Sequence, residues 1–177
     1  MEELSLHILD VAENSIRAGA RSVEIQIEED LNKDRLVIVI RDDGEGMDEE
    51  TQRSALDPFF TTKEAKRVGL GLPLLAAAAR RTNGTITIRS GQGRGTEVRA
   101  TFQHSHIDCQ PLGDVAETMR MLIVGNPDVE FRFRHRRPGG EKRLDTREIK
   151  KSLKGAAINS IQGIRMIRKV LEEAAWR

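Results

Sequence analysis

The chain has no tyrosine, one tryptophan and one cysteine, and aromatic residues make up only 3% of its 177 positions. A surface that reads nucleic acid by stacking needs aromatic rings, so this composition argues against one. The lone Cys109 excludes an intramolecular disulfide and any zinc site built from several cysteines. No apolar run approaches the roughly 18 residues of a membrane-spanning helix. The start, Met1-Glu2-Glu3, is acidic and lacks the basic-then-apolar pattern of a secretory leader, so a cytoplasmic protein without membrane contact is expected. Excess charge is missing too. With 29 basic and 28 acidic side chains the net charge is +1, and no overall field points to nucleic acid or a lipid surface. What is present is a globular composition, 38% hydrophobic and 32% charged, sufficient for one sizeable core.

The charge is unevenly divided. Residues 1–104 carry a net −4 and residues 105–177 a net +5. The break falls in the polar stretch His104–Pro111. The expected organisation is a domain over 1–104 and a small basic α/β appendage over 105–177, available as a partner-docking or homodimerisation unit.

Periodicity places the elements. Residues 3–18 repeat at helical spacing. Ser22–Glu29 alternates through Val23, Ile25 and Ile27 as a half-buried strand, and Arg35–Arg41 reads as its antiparallel partner. Asp48–Leu56 is a short helix with Asp48 as N-cap. Gly69–Arg81 is a second helix, ended by Asn83-Gly84. Thr85–Arg89 and Thr96–Phe102 form a hairpin. This order predicts an α+β sandwich, with helices on one face of a mixed, mostly antiparallel sheet. In the appendage, a helix over Leu112–Val124 precedes strands Val129–His135 and Lys142–Asp145. Helices follow over Thr146–Leu153, capped by Asp145, and Ile158–Trp176. Phe131 and Phe133 alternate with Arg132 and Arg134, which is the pattern of a half-buried strand with solvated arginines. Ile158, Ile161, Ile164, Ile167 and Leu171 form one apolar helix face.

Several short motifs are compatible with ligand binding, and each is also compatible with plain structure. On the first helix Glu3, His7, Asp10, Asn14 and Arg17 share one face, which is either solvated or lines a polar cavity. Asp10 and Asn14 stand at i and i+4 and point the same way. An Asn oxygen suits Mg²⁺, and a carboxylate one turn earlier suits deprotonation of a water. Asp42-Asp43-Gly44-Glu45-Gly46-Met47 follows a strand. Its glycines allow a sharp turn and close approach of a ligand, and Asp42 can accept from an exocyclic amine. In Phe59-Phe60-Thr61-Thr62-Lys63 a buried Phe pair precedes groups able to meet phosphate. Gly69-Leu70-Gly71-Leu72 precedes a helix and exposes backbone N–H groups suited to phosphate. Gly93-Arg94-Gly95-Thr96 reads as a hairpin turn.

Taken in order, these motifs resemble the superfamily of gyrase, heat-shock-chaperone, histidine-kinase and MutL ATPases over about residues 3–103. Leu9–Ala20 looks most like the MutL branch; the Phe box and short lid look more like histidine kinases. The resemblance implies a Bergerat-type two-layer sandwich that binds ATP with Mg²⁺. Asn14 would hold Mg²⁺ on the phosphates and Asp42 would accept from the adenine amino group. Gly44, Gly46 and Met47 would give the base room. Phe60, Thr61, Thr62, Lys63 and Lys66 would form the lid, with the lysines approaching the outer phosphates. Gly69, Leu70, Gly71 and Leu72 would cradle phosphate, and Thr96 would lie behind the adenine.

There are departures from the pattern. The family's hydrolytic members place Glu four residues before the Asn. Here Asp10, one methylene shorter, is the candidate base, and Glu13 is rotated away from Asn14 by about 100°. The motifs begin almost at residue 1, which leaves no room for a preceding phosphoacceptor-His hairpin. His7 lies within the first helix. The resemblance therefore implies a regulatory ATPase or protein kinase whose phosphoacceptor comes from a partner protein. The alternatives are a non-catalytic nucleotide-sensing module and, ranked below both, a DNA-repair-type ATPase fragment. Pro111–Thr118 with Asp145–Ile149 also resembles the tails of stand-alone ATP-binding proteins encoded near iron-only hydrogenase genes.

Overall fold

The computed structural model describes residues 3–56 and 71–173. The expected Phe box and lid, including Phe60, Thr61, Thr62, Lys63 and Lys66, and the glycine-loop positions Gly69 and Leu70 lie outside the described residues.

The chain opens with α1 (Leu4–Arg17), which buries Leu4, Ile8, Val11 and Ala12 on one side. Gly19, at a φ of +74°, lets the chain leave this helix in the left-handed conformation. Strands β1 (Ser22–Asp30) and β2 (Arg35–Asp42) pair antiparallel, with Ile25 opposite Ile40 and Ile27 opposite Ile38. A short helix, α2 (Glu49–Ser54), is capped by Asp48, whose carboxylate accepts from the Thr51 N–H at 2.7 Å. Helix α3 (Gly71–Arg81) leads to the hairpin of β3 (Ile86–Gly91) and β4 (Gly95–Gln103). There follow α4 (Val115–Gly125), β5 (Glu130–Arg137), β6 (Gly140–Asp145), α5 (Thr146–Ser152) and α6 (Ile161–Arg168), which ends in a π-helical turn over Lys169–Glu173.

The six strands form one sheet in the order β3-β4-β2-β1-β5-β6. Every neighbouring pair is antiparallel except β1 and β5, which run parallel with Val23 beside Phe131 and Ile25 beside Phe133. Inward side chains of all six strands meet α1, α3, α4 and α6 in a single apolar cluster. The α+β architecture expected from periodicity is the one observed. The acidic and basic segments share this sheet and this core. Between them, the chain crosses the start of α1, where the Leu4 and Ser5 N–H groups donate to the carbonyls of Pro111 and Leu112 at 3.0 and 2.9 Å. The edge of β3 is covered: the Gln52 side chain donates to the Ile88 carbonyl at 3.0 Å and accepts from the Ser90 N–H at 3.2 Å.

Two expectations are corrected. Helix α4 starts three residues later than its apolar pattern, because Gly113 takes a φ of +77° and Asp114 then caps the helix through the Glu117 N–H. The last helix starts at Ile161 behind the N-cap Ser160, so Ile158 packs from the preceding turn and Ile161 is 73% exposed rather than part of the buried face. By contrast, Phe131 and Phe133 are buried while Arg132 is exposed, as the alternation required.

Phe131 is fully buried at the β1–β5 junction, so Phe131→Ala is expected to lower stability by roughly 3–5 kcal/mol in urea unfolding. A loss below about 1 kcal/mol would show that β5 adds little to the core. His135 lies on the same strand, 8% exposed, with its Nε2 2.6 Å from Glu29 Oε1. Burial lowers its pKa from 6.5, against the opposing pull of Glu29. The unfolded chain thus takes up a proton first as pH falls. This contribution is complete above 6.5 and is lost as pH drops from there through the lower folded value. Stability measured across that window should rise with pH, and the slope should be smaller in His135→Gln.

Candidate functional site

The end of β2 is the centre of the site. Asp42 is the last residue of that strand, and its side chain turns to the helix-covered face. The Ser15 hydroxyl of α1 donates to its Oδ2 at 2.6 Å. The N–H groups of Gly44 and Thr96 donate to Oδ1 at 3.0 and 3.2 Å. Helix, loop and β4 therefore all fix one carboxylate. A carboxylate has about four lone-pair directions, so an acceptor position is still available for an outside donor.

The loop after Asp42 is built to stay open. Asp43 accepts from the Arg21 and Ser22 N–H groups at 2.8 Å, and the Glu45 N–H donates to the Ala18 carbonyl at 2.9 Å. The Met47 N–H donates to Ser90 Oγ at 2.8 Å. Gly46 has a φ of +69°, and a Cβ there would stand 2.0 Å from the Gly91 carbonyl oxygen. Gly95 has a φ of +75°, and a Cβ there would stand 1.9 Å from the Asp42 carbonyl oxygen. The hairpin motif Gly93–Thr96 thus does more than turn the chain, since it lets β4 press against the back of Asp42.

One turn before Asn14 on α1, Asp10 is exposed. Gly71 at the start of α3 is buried against it, so close that a Cβ would lie 2.7 Å from Asp10 Cβ. Leu72 is buried beside it. Asn14 lies between these two regions, and its Oδ1 is buried without a hydrogen-bond partner among the described residues. An unpartnered buried acceptor costs stability unless a donor or cation satisfies it.

The predicted polar stripe of α1 does not hold as one face. His7 is buried at 3% exposure with Nε2 3.2 Å from Gln110 Oε1, and Arg17 pairs with Glu13 at the surface. The segment around Gln110–Gly113 covers the first turn of the helix. Asp10 and Asn14 are what the stripe retains for a site. The structure brings Asn14, Asp42, Gly44, Gly46, Met47 and Thr96 to one end of the sheet, with Asp10, Gly71 and Leu72 at the neighbouring helix junction. Reading the sequence missed two residues, Ser15 and Ser90. Ser15 had a signal: a hydroxyl one turn after Val11, on the apolar side of α1, needs a polar partner. Ser90 had none, because its partners come from the loop and the opposite strand.

The sequence model of the histidine kinase-, DNA gyrase B-, and HSP90-like ATPase family matches residues 2–106. The chain is 29% identical over 104 residues to the sensor histidine kinase YxdK of Bacillus subtilis, covering 56% of this chain and 32% of that protein. It is 30% identical over 94 residues to sporulation kinase C of the same organism, covering 53% of this chain and 22% of that protein. The chain thus spans a third or less of these relatives. A crystal structure of the N-terminal domain of a DNA repair protein superposes with a TM-score of 0.60 at 15% identity, covering 97% of this chain and 57% of that one. At that identity it shows the shared fold alone. Among the described residues no helix is long and apolar enough to cross a membrane.

Gly95→Ala combines a disfavoured φ with a clash against backbone. It is expected to lower stability by about 2 kcal/mol or more. An unchanged unfolding midpoint would contradict the contact between β4 and Asp42.

Proposed function

Because the chain belongs to the histidine kinase-, DNA gyrase B-, and HSP90-like ATPase family, we propose that it binds Mg·ATP between α1, the Asp42 loop and the start of α3, as a regulatory ATPase or protein kinase. The observation that carries this reading is the fixation of Asp42 by three donors, one of them Ser15 on the helix that bears Asn14 and the others from the Gly44 loop and β4. A carboxylate held this way is an acceptor of set direction, suited to the adenine amino group. Gly44 and Gly46 keep side chains out of the space beside it. Thr96 supports the base from the strand behind.

The phosphates would lie toward Asp10 and α3. The orphaned Oδ1 of Asn14 fits a hard cation, so Asn14 is the residue proposed to hold Mg²⁺. When bound, Mg²⁺ neutralises charge on the phosphate oxygens. Asp10 is the proposed base: its carboxylate would orient a water or an incoming hydroxyl and take its proton as the new oxygen–phosphorus bond forms and the bond from the γ-phosphorus to the bridging oxygen breaks, with ADP as the leaving group. Gly71 brings the start of α3 against Asp10, so backbone N–H groups can meet phosphate there. The lid positions Phe60, Thr61, Thr62, Lys63 and Lys66, with Gly69 and Leu70, complete the proposed set from the family pattern. In the kinase reading the proposed phosphoacceptor belongs to a partner protein; His7 itself is buried against Gln110. The proposed setting is the cytoplasm.

A second reading has its own support. Asp10 is one methylene shorter than the family's glutamate, which places its carboxylate farther from the phosphates. A nucleotide sensor that does not turn over ATP would then act by selecting a conformation that a partner recognises. Incubation with Mg·ATP labelled at the γ-phosphate separates the two. Steady release of labelled phosphate, lost in Asp10→Asn with binding retained, is the result expected for an enzyme. Saturable binding with no release selects the sensor. Under both readings Asn14→Ala should weaken Mg·ATP binding at least tenfold, or about 1.4 kcal/mol. Unchanged affinity would remove Asn14 from the site.

A further inference from the structure

The sheet face turned away from the helices carries charges in register. Across five strands the rung Arg89, Glu97, Arg41, Glu24 and Arg132 alternates in sign. On the side of β1, β5 and β6 the guanidiniums are matched. Arg132 meets Glu24 at 2.9 Å, Arg136 meets Glu28 at 2.5 Å and Arg134 meets Glu141 at 2.7 Å, while Arg143 also bonds Glu141. Such exposed pairs add little stability, but each of these four guanidiniums already holds a carboxylate, Arg134 and Arg143 sharing Glu141.

At the β3–β4 end the matching fails. Glu97 is engaged by Arg41 at 2.5 Å. That guanidinium, with Arg89 and Arg99 farther off, holds the Glu97 carboxyl below its usual range, so it stays ionised. Arg89 and Arg94 are exposed and have no carboxylate within ion-pair distance among the described residues. Around them opens a cavity of about 550 Å³ at the end of the sheet, whose lining includes Arg41, Arg89, Arg94 and Glu97 together with Asp42 and Thr96, which the proposed nucleotide site also uses. Three guanidiniums meet Glu97 and Asp42 there; Arg41, Arg89 and Glu97 alternate to the sheet face opposite the one taken by the Asp42 side chain.

We propose that this cavity is a docking site for an acidic segment of a partner protein, whose Asp or Glu carboxylates are taken up by Arg89 and Arg94. The guanidinium fork matches a carboxylate with two parallel hydrogen bonds. The positive region is confined to the end of the sheet. A nucleic-acid duplex laid over the same face would bring its phosphates against Glu24, Glu28 and Glu141. A short acidic segment that stops at the β3–β4 hairpin meets no such repulsion. Thr96 in the lining also supports Asp42 through its N–H, while Arg89 stands on the other face of the strands, so a segment held by Arg89 and Arg94 borders the proposed nucleotide without taking its acceptor. The proposal uses the charge and shape of the open face and stands whether or not ATP is hydrolysed.

The test is fluorescence anisotropy of the full chain with a fluorescein-labelled peptide of alternating Asp and Glu at low ionic strength. Saturable binding that weakens with added salt is expected. The double variant Arg89→Ala with Arg94→Ala should weaken it at least about tenfold, as expected for losing charge-assisted hydrogen bonds. Arg89→Lys with Arg94→Lys, which keeps the charge without the fork, should lose less. Arg134→Ala with Arg143→Ala, on the matched half, should stay within about twofold. Mg·ATP should not displace the peptide, and none of these variants should alter nucleotide affinity. The proposal is overturned by no binding at low salt, by equal loss in the two alanine pairs, by displacement of the peptide with Mg·ATP, or by tighter binding of duplex DNA than of the peptide.

Discussion

One hydrogen bond joins the two halves of the site. The Ser15 hydroxyl donates to Asp42 at 2.6 Å and couples the first helix to the end of the second strand. Ser15 follows Asn14 directly, so the group proposed to read the base and the group proposed to hold the metal are set by adjacent residues of one helix. Burial keeps the bond effective: Ser15 is 5% exposed, and little water competes for its proton. The glycines then follow as a constraint. With Asp42 drawn toward α1, β4 approaches its carbonyl so closely that position 95 has no room for a Cβ, and the loop bends so sharply that position 46 has none either.

The rest of the fold holds this junction in place. Val23, Ile25 and Ile27 of β1 are fully buried beneath α1, so the helix is seated by apolar contact rather than by its polar face. The basic segment strengthens the same arrangement from the far side. β5 extends the sheet beyond β1, α4 packs beside α1, and the Pro111 and Leu112 carbonyls satisfy N–H groups at the start of α1 that would otherwise lack partners. The site lies at one end of the sheet, whereas Glu29, which His104 Nε2 approaches at 3.3 Å and His135 Nε2 at 2.6 Å, stands toward the other end of β1.

Much of this was legible in the sequence where the cause is local. Alternation through Val23, Ile25 and Ile27 identified β1, and Asp48 and Asp145 were readable as caps because an N-cap depends on the next three residues. Asn14, Asp42 and Gly44 were readable as a set only through their order along the chain, since each motif alone also suits an ordinary turn or helix face. What was not legible depends on distant partners. His7 shares a helical face with Asp10, yet a segment more than a hundred residues away buries it. Ile161 keeps the spacing of the last helix, yet Ser160 caps the helix there and leaves it in solvent. The parallel pairing of β5 with β1 has no local sign, because period two identifies a strand's buried face and not its neighbour.

In the proposed site Asp42 selects an adenine by accepting from its amino group. Titration calorimetry of the full chain with Mg·ATP and with Mg·GTP tests it most directly. Guanine presents a carbonyl oxygen where adenine presents the amine, and that oxygen would face an acceptor-only carboxylate. ATP is expected to bind at least about tenfold more tightly than GTP, a difference of roughly 1.4 kcal/mol. Equal affinities for the two nucleotides would contradict it and remove the base from Asp42.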